Sequence, residues 1–296
     1  MATEPPANPL PIFYGGLEPL SSNLHPNYRV RSSESAPFLT NVHAVPITID
    51  EFPSIQRFCP IVFSSGENPV PLALMGLNEG VNVYVDGEGK LTQELYVPAY
   101  VRRYPFMLAR LQPEAQELSL CFDPTSGLVG DFEDGQPLFD GDKPSEATNN
   151  VLKFCEEFEL SAQRTVAFMN ELRQSELLME GEVSIQATGV EQPFVYRGFV
   201  MVNEEKLREL RGDELRKMNQ NGMLPLLFAH LFSMQLVRDI FSKQVAQGKG
   251  PQLPGGGTLG DDFGTFGGGL GGAGNGGSGS NGGGNGGNGG NGGGNA

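Results

Sequence analysis

The chain has no tryptophan, only three histidines and three cysteines in 296 residues, and 20 Lys and Arg against 35 Asp and Glu. Each shortage excludes something. Cys59, Cys121 and Cys155 are odd in number and lie 62 and 34 residues apart, which suits neither a disulfide framework nor a zinc site. They read as buried thiols. His25, His43 and His230 are scattered, and no His-Glu-x-x-His, His-x-His or Cys-x-x-Cys occurs, so no metal centre is expected. With a net charge of −15 and no basic run longer than Arg102-Arg103, the surface should repel phosphate backbones and anionic lipid. Nucleic acid is not an expected partner.

Long hydrophobic runs are also missing. The longest uncharged apolar stretch, Met223 to Val237, has 15 residues and is interrupted by Pro225, His230 and Gln235, whereas a membrane span needs about 20. The first eleven residues contain neither a basic segment nor a continuous apolar one, unlike a secretory signal. No membrane insertion and a cytoplasmic location are the expectations.

Glycine is abundant but unevenly placed. Twenty-six of the 42 glycines fall in residues 248–296, leaving 16 for the preceding 247. Such a Gly/Asn-rich tail has almost nothing to bury and should remain a disordered coil reaching about 40 Å. Residues 1–37, with prolines at 5, 6, 9, 11, 19, 26 and 37, read as an extended arm. Residues 38–247 read as a single folded domain of ordinary composition.

Within that domain short β-type runs come first: Val42–Ile49, Cys59–Phe63, Leu72–Met75 and Leu118–Phe122. Asp86-Gly-Glu-Gly89 separates Val81-x-Val83-x-Val85 from Leu91-x-Gln93-x-Leu95-x-Val97, the strongest hairpin signal in the chain. Thr148 or Asn149 should cap a long helix with an apolar stripe through Val151, Cys155, Phe158, Ala162, Val166, Met169 and Leu172, ending by Gly181. Runs at 183–188 and 194–202 should return to the earlier sheet. Asn203 should cap Glu204–Leu210, Asp213 a segment ending at Gly222, and one terminal helix should run from Leu224 to Gln247, with Pro225 in its first turn. The fold class is therefore α+β, a mainly antiparallel sheet packed with a long central helix and a C-terminal helix.

Signals for chemistry are few. The acidic stretch Asp131–Asp142 puts glycine at position 5 rather than 6 of a calcium loop and Asp at 12 instead of Glu. No Gly-x-Ser-x-Gly elbow, phosphate-binding loop or strand-linked Gly-x-Gly-x-x-Gly is present, so no cofactor is expected. His230, between Phe228 and Phe232, fits a hydrogen-bonded core histidine better than a catalyst. The densest cluster is Tyr96-Val-Pro-Ala-Tyr100-Val-Arg102-Arg103-Tyr104-Pro-Phe106, holding three of seven tyrosines and two adjacent arginines in an acidic chain. Arginine forks can grip a carboxylate or phosphate while tyrosines supply flat walls and hydroxyls. The competing reading pairs the arginines with nearby carboxylates and packs the aromatics under the sheet. Tyr96, Tyr100, Arg102, Arg103, Tyr104 and His230 are the candidate ligand-binding residues.

Several ordered motifs carry a family resemblance: Val45-Pro-Ile-x-x-x-Glu51-Phe, Pro60-Ile-Val-Phe63, Leu74-x-Gly76-Leu, Asn82-x-Tyr-Val-Asp86-x-x-Gly89, the Tyr96–Phe106 cluster, Leu138-Phe-x-x-Gly141-x-x-Pro-Ser145, Gly198-Phe-x-x-Val202-x-Glu204-x-Lys206-Leu and the helix around His230. Over about residues 38 to 245 the chain resembles the bacterial SapC family. The resemblance implies an association with surface-layer proteins and brings no catalytic set. Many relatives carry a tryptophan near Lys90-Leu91, which this chain lacks. Two expectations follow. One is a non-enzymatic accessory protein that binds a client of the cell envelope, linked to surface-layer or envelope protein export or assembly. The other is an enzyme or enzyme subunit acting on a small anionic molecule or peptide, with the arginines holding the anion and His230 or Tyr104 moving protons.

Overall fold

The fold comes from a computed structural model that describes residues 10–111, 117–187, 190 and 192–251. The glycine-rich tail beyond 251 lies outside the described residues. The main sheet has five strands. In chain order they are β1 (Ala44–Pro46), β2 (Ile61–Ser64), β3 (Pro71–Leu74), and, leaving β4 and β5 for a second sheet, β6 (Leu178–Ile185) and β7 (Phe194–Val202). They pair in the order β6-β7-β2-β3-β1, every pair antiparallel. The late strands do return to the early sheet, and the fold is α+β as expected.

Strand β2 sits centrally, and its period-2 alternation serves two cores. Ile61 and Phe63 join the main cluster with Phe52, Leu172 and Leu227, while Val62 faces the opposite side with Val183, Ile185, Val237 and Phe241. All three residues are fully buried, each side chain contributing about 1.5–3 kcal/mol. A smaller sheet pairs β4 (Phe106–Ala109) with β5 (Ser119–Phe122), and Glu18–Pro19 adds to the other edge of β5. The described part of the proline-rich segment is therefore built into this sheet and its core: the buried Tyr14 donates its hydroxyl to the Phe106 carbonyl at 2.8 Å.

In chain order the helices are α1 (Phe52–Ile55), α2 (Ala99–Arg102), α3 (Glu146–Gln174), α4 (Glu204–Arg208), α5 (Gly212–Gln220), α6 (Met223–Ser233) and α7 (Leu236–Ala246). At 29 residues α3 spans about 43 Å, long enough to connect both sheets. Its first half brings Cys155 to the small core with Phe106, Phe122 and Leu138, and its second half brings Phe168, Met169 and Leu172 to the main core.

Several local expectations are corrected. The cap of α3 is Ser145, whose Oγ accepts from the Thr148 amide and donates to the Pro137 carbonyl. The helix stops at Gln174, and Gly181 belongs to β6, where the Phe199 ring would lie 2.1 Å from a Cβ. Val166 of the expected stripe is exposed, and the buried line runs through Ser161, Thr165 and Phe168. Asn203 does cap α4, accepting from the Lys206 amide, whereas Arg211 rather than Asp213 occupies the cap position of α5. The expected terminal helix is divided at Met234–Gln235 into α6 and α7. The stretch Met223–Ala246 is nevertheless long and apolar enough by composition to cross a membrane, although Met223, Leu227, His230, Met234, Val237, Ile240 and Phe241 within it are buried in this fold.

The largest correction concerns the hairpin. Only one isolated bridge, Val85 to Leu91, forms across the Asp86–Gly89 turn. Val83, Tyr84 and Val85 are buried whereas Leu91 is exposed, so the two arms face different environments. Partners from elsewhere bind the first arm: the Val83 carbonyl accepts from Gln247 and the Asn82 carbonyl from Lys249.

Candidate functional site

The cluster from Tyr96 to Phe106 is positioned by a carboxylate that the charge pattern did not single out. Glu51 is buried, and its oxygens accept from the Ala99 amide at 2.6 Å, the Thr48 amide at 2.8 Å and the Thr48 hydroxyl at 3.0 Å. An anionic acceptor at the first amide of α2 satisfies a donor that a four-residue helix leaves free. It fixes the start of the helix, and thereby the directions of Arg102 and Arg103 one turn on.

The two arginines meet different surroundings. Exposed Arg102 bonds the Val97 carbonyl through Nε at 3.0 Å and the Tyr96 hydroxyl through Nη2 at 3.1 Å, with its guanidinium 5.2 Å from the Phe154 ring centroid. Arg103 is only 6% exposed. Its guanidinium lies 4.4 Å from the Tyr100 ring centroid and 4.2 Å from that of Phe158. Its ion pair with Glu159 is long, 3.5 Å, and its Nε is buried with no acceptor among the described residues. Taking such a cation out of water costs several kcal/mol, while a desolvated cation–π contact returns about 2. Glu159 offsets little more, because burial raises its carboxyl above the usual range and Arg103 only partly reverses that. The charge is thus incompletely compensated.

Arg102, Arg103 and Tyr104 line a cleft of about 630 Å3, within the range of small-molecule sites. A second groove, beside Val70 and Val166, holds about 100 Å3. One wall of the large cleft is residues 30–39, another is Val97–Phe106, and the third is the first turns of α3 at Asn150, Val151 and Phe154. Gly89 fixes the first wall: its carbonyl accepts from the Ala36 amide at 2.8 Å, φ is 81°, and a Cβ would lie 2.4 Å from the Ala36 carbonyl carbon. Only glycine suits both the left-handed conformation and that approach.

Tyr104 donates to Asp123 at 3.2 Å. Burial first and Asp123 second push its phenol up to about 12. Burial would raise the Asp123 carboxyl too, but bonds from Thr125, Gly15 and Tyr104 outweigh it and hold the group below its usual range. Cys155 also lines the cleft, and burial pushes its thiol up to about 11 despite Arg103.

The candidate residues therefore separate. Tyr100 stacks beneath Arg103 and Tyr96 braces Arg102, while His230 is not among the residues lining the cleft. His230 is fully buried on α6. Its Nε2 accepts from the Val202 amide at 3.1 Å and its Nδ1 faces the Ile61 carbonyl at 2.7 Å, which requires the neutral ring protonated at Nδ1. The β7–β2 register, Phe199 opposite Ser64 and Val200 opposite Phe63, would next place Val202 opposite Ile61. The imidazole is inserted there and takes over both backbone groups. Burial drives its pKa down to about 4.

Sequence reasoning missed Glu51, Asp123, Phe154 and the 30–39 wall. Phe154 had a signal, an aromatic beside rather than within the apolar stripe of α3. Asp123-Pro-Thr125 had another, since an Asp whose side chain accepts from Thr125 two residues on is a local turn device. Nothing local connected residues 30–39 to this site. The acidic stretch 131–142 holds short strands and an ion pair between Asp134 and Arg31, and no cluster suited to a metal ion occurs among the described residues.

A family model described as SapC matches residues 20–240. That is well over half of the chain, and the chain belongs to the SapC family. The match begins near residue 20 rather than 38, so it includes the 30–39 wall. No curated protein and no solved structure matches the chain.

Proposed function

We propose that this SapC-family protein is a non-enzymatic accessory protein that binds an acidic group of its ligand or client in the cleft between residues 30–39, α2 and α3. One observation carries the reading. In a chain of net charge −15, three arginines and one glutamate line this cleft, and the buried Arg103 keeps an unpartnered Nε. A local reversal of charge sign around an incompletely compensated cation favours an anionic occupant. The enzymatic alternative gains nothing from the titratable groups: Cys155 and Tyr104 hold their protons at neutral pH, and His230 spends both nitrogens on backbone groups.

Cytoplasmic residence, the absence of nucleic-acid partners and of membrane insertion, and a client linked to surface-layer or envelope protein export complete the proposal. Acidity and the family resemblance motivate them. The test is affinity capture with the full chain from its own host. An envelope or surface-layer protein should be recovered by the wild type and lost by the Arg102→Gln/Arg103→Gln double variant, whose melting temperature stays close to the wild-type value. Recovery of no such protein by folded, abundant wild type counts against the reading.

A further inference from the structure

The cleft restricts its occupant further than charge sign alone. Of the three arginines, Arg31 is already committed to Asp134 and lies over the Phe132 ring at 3.7 Å. Arg103 is partly matched by Glu159. The lining glutamate, Glu34, is exposed to water, so what remains is a demand for about one negative charge, at Arg103, whose Nε is unpartnered, and at the exposed Arg102. No lysine lines the space. The other lining is mostly hydrocarbon, including Phe38, Leu91, Val97, Val151 and Phe154, and of these Leu91 is exposed and Val97, Val151 and Phe154 are half-buried. A polyphosphate or a dicarboxylate would place surplus charge against that wall, where a desolvated charge is strongly disfavoured.

Resting on the cleft as the binding site, we propose that it takes an aliphatic monocarboxylate, the carboxylate on Arg102 and Arg103 and the chain along Val97, Val151 and Phe154. A planar carboxylate matches the guanidinium fork. Each methylene buried against the apolar wall should raise affinity roughly fourfold, until the space is filled.

The test is calorimetric titration of the full chain, stripped of co-purified lipid, with acetate, hexanoate, octanoate, decanoate, decanol, succinate and inorganic phosphate. One decanoate per chain should bind, with affinity rising from hexanoate to decanoate at roughly fourfold per methylene. Decanol should bind about tenfold to a hundredfold more weakly, for loss of the charge-assisted bonds. Arg102→Gln, on an exposed side chain, should weaken decanoate about tenfold, and Val151→Trp should flatten the chain-length series by filling the wall.

Succinate or phosphate binding more tightly than decanoate overturns the ligand class while the cleft stands as the anion site. Decanoate binding indifferent to both variants overturns the proposal by placing the ligand elsewhere. If no carboxylate binds but an envelope client is still captured and lost in the double arginine variant, the acyl class fails and the cleft reading survives. If client capture also ignores the arginines, both fail.

Discussion

Two buried polar side chains, His230 in the main core and Arg103 behind the cleft, differ in how their hydrogen-bonding capacity is used. His230 has two ring nitrogens and two backbone partners, supplied where the β7–β2 ladder is interrupted. Arg103 has two aromatic faces, one long ion pair and an Nε without an acceptor. Burial is common to both and therefore does not mark function. Unsatisfied capacity at the lining of a cleft does, because a buried polar atom without a partner has a free-energy cost that a ligand can remove; the Tyr196 hydroxyl, also buried without a partner, does not line the cleft.

Breaking the satisfied side should have the largest effect. His230→Ala orphans the Val202 amide and the Ile61 carbonyl and opens a cavity beside Phe63, for a loss of about 3–5 kcal/mol. Denaturant unfolding should show that loss while cleft binding in the folded fraction is unchanged. A loss below about 1 kcal/mol would mean that the strands close the ladder without the imidazole.

Acid provides the next test. The folded His230 pKa, about 4, lies below the ordinary 6.5, so the fold favours the neutral ring. Its contribution is fully present above pH 6.5 and disappears as pH falls toward 4, on the order of 3 kcal/mol in all. Asp50 and Asp123, whose carboxyls are held below the usual 3.8, add their own losses at lower pH. The melting temperature should fall from pH 7 to pH 4 in the wild type and much less in His230→Gln; equal falls would detach the effect from this residue.

The smallest stability change is expected on the unsatisfied side. Arg103→Met removes a poorly compensated charge, keeps the hydrocarbon between Tyr100 and Phe158, and leaves Glu159, about a third exposed, to water. Stability should move by about 1 kcal/mol or less in either direction, while the cleft loses its anion. A loss comparable to that of His230→Ala would make Arg103 a structural residue and erase the contrast.

Periodicity and capping identified much of this fold from the residues. The runs around Ile61, Leu72 and Leu120, the pair of late strands, the long helix and the Asn203 cap all depend on near neighbours along the chain, and so could be read there. The hairpin at Asp86–Gly89 failed for the same reason in reverse. Its local turn chemistry is sound, but Gln247 and Lys249 reach the first arm from the far end of the sequence. At the site, the Tyr96–Phe106 cluster was visible as composition, whereas Glu51 was visible only as part of a family motif.

What the sequence alone determined was the arginine and tyrosine cluster that could attract a ligand and most of the segments that would be helix or strand, because residue type and spacing act over a few residues. Tertiary structure decided which arginine would be buried, that residues 30–39 would wall the cleft through Gly89, and that His230 would occupy a gap in the ladder. Those outcomes depend on contacts between residues far apart in the chain, and desolvation and hydrogen-bond saturation exist only after such contacts have formed.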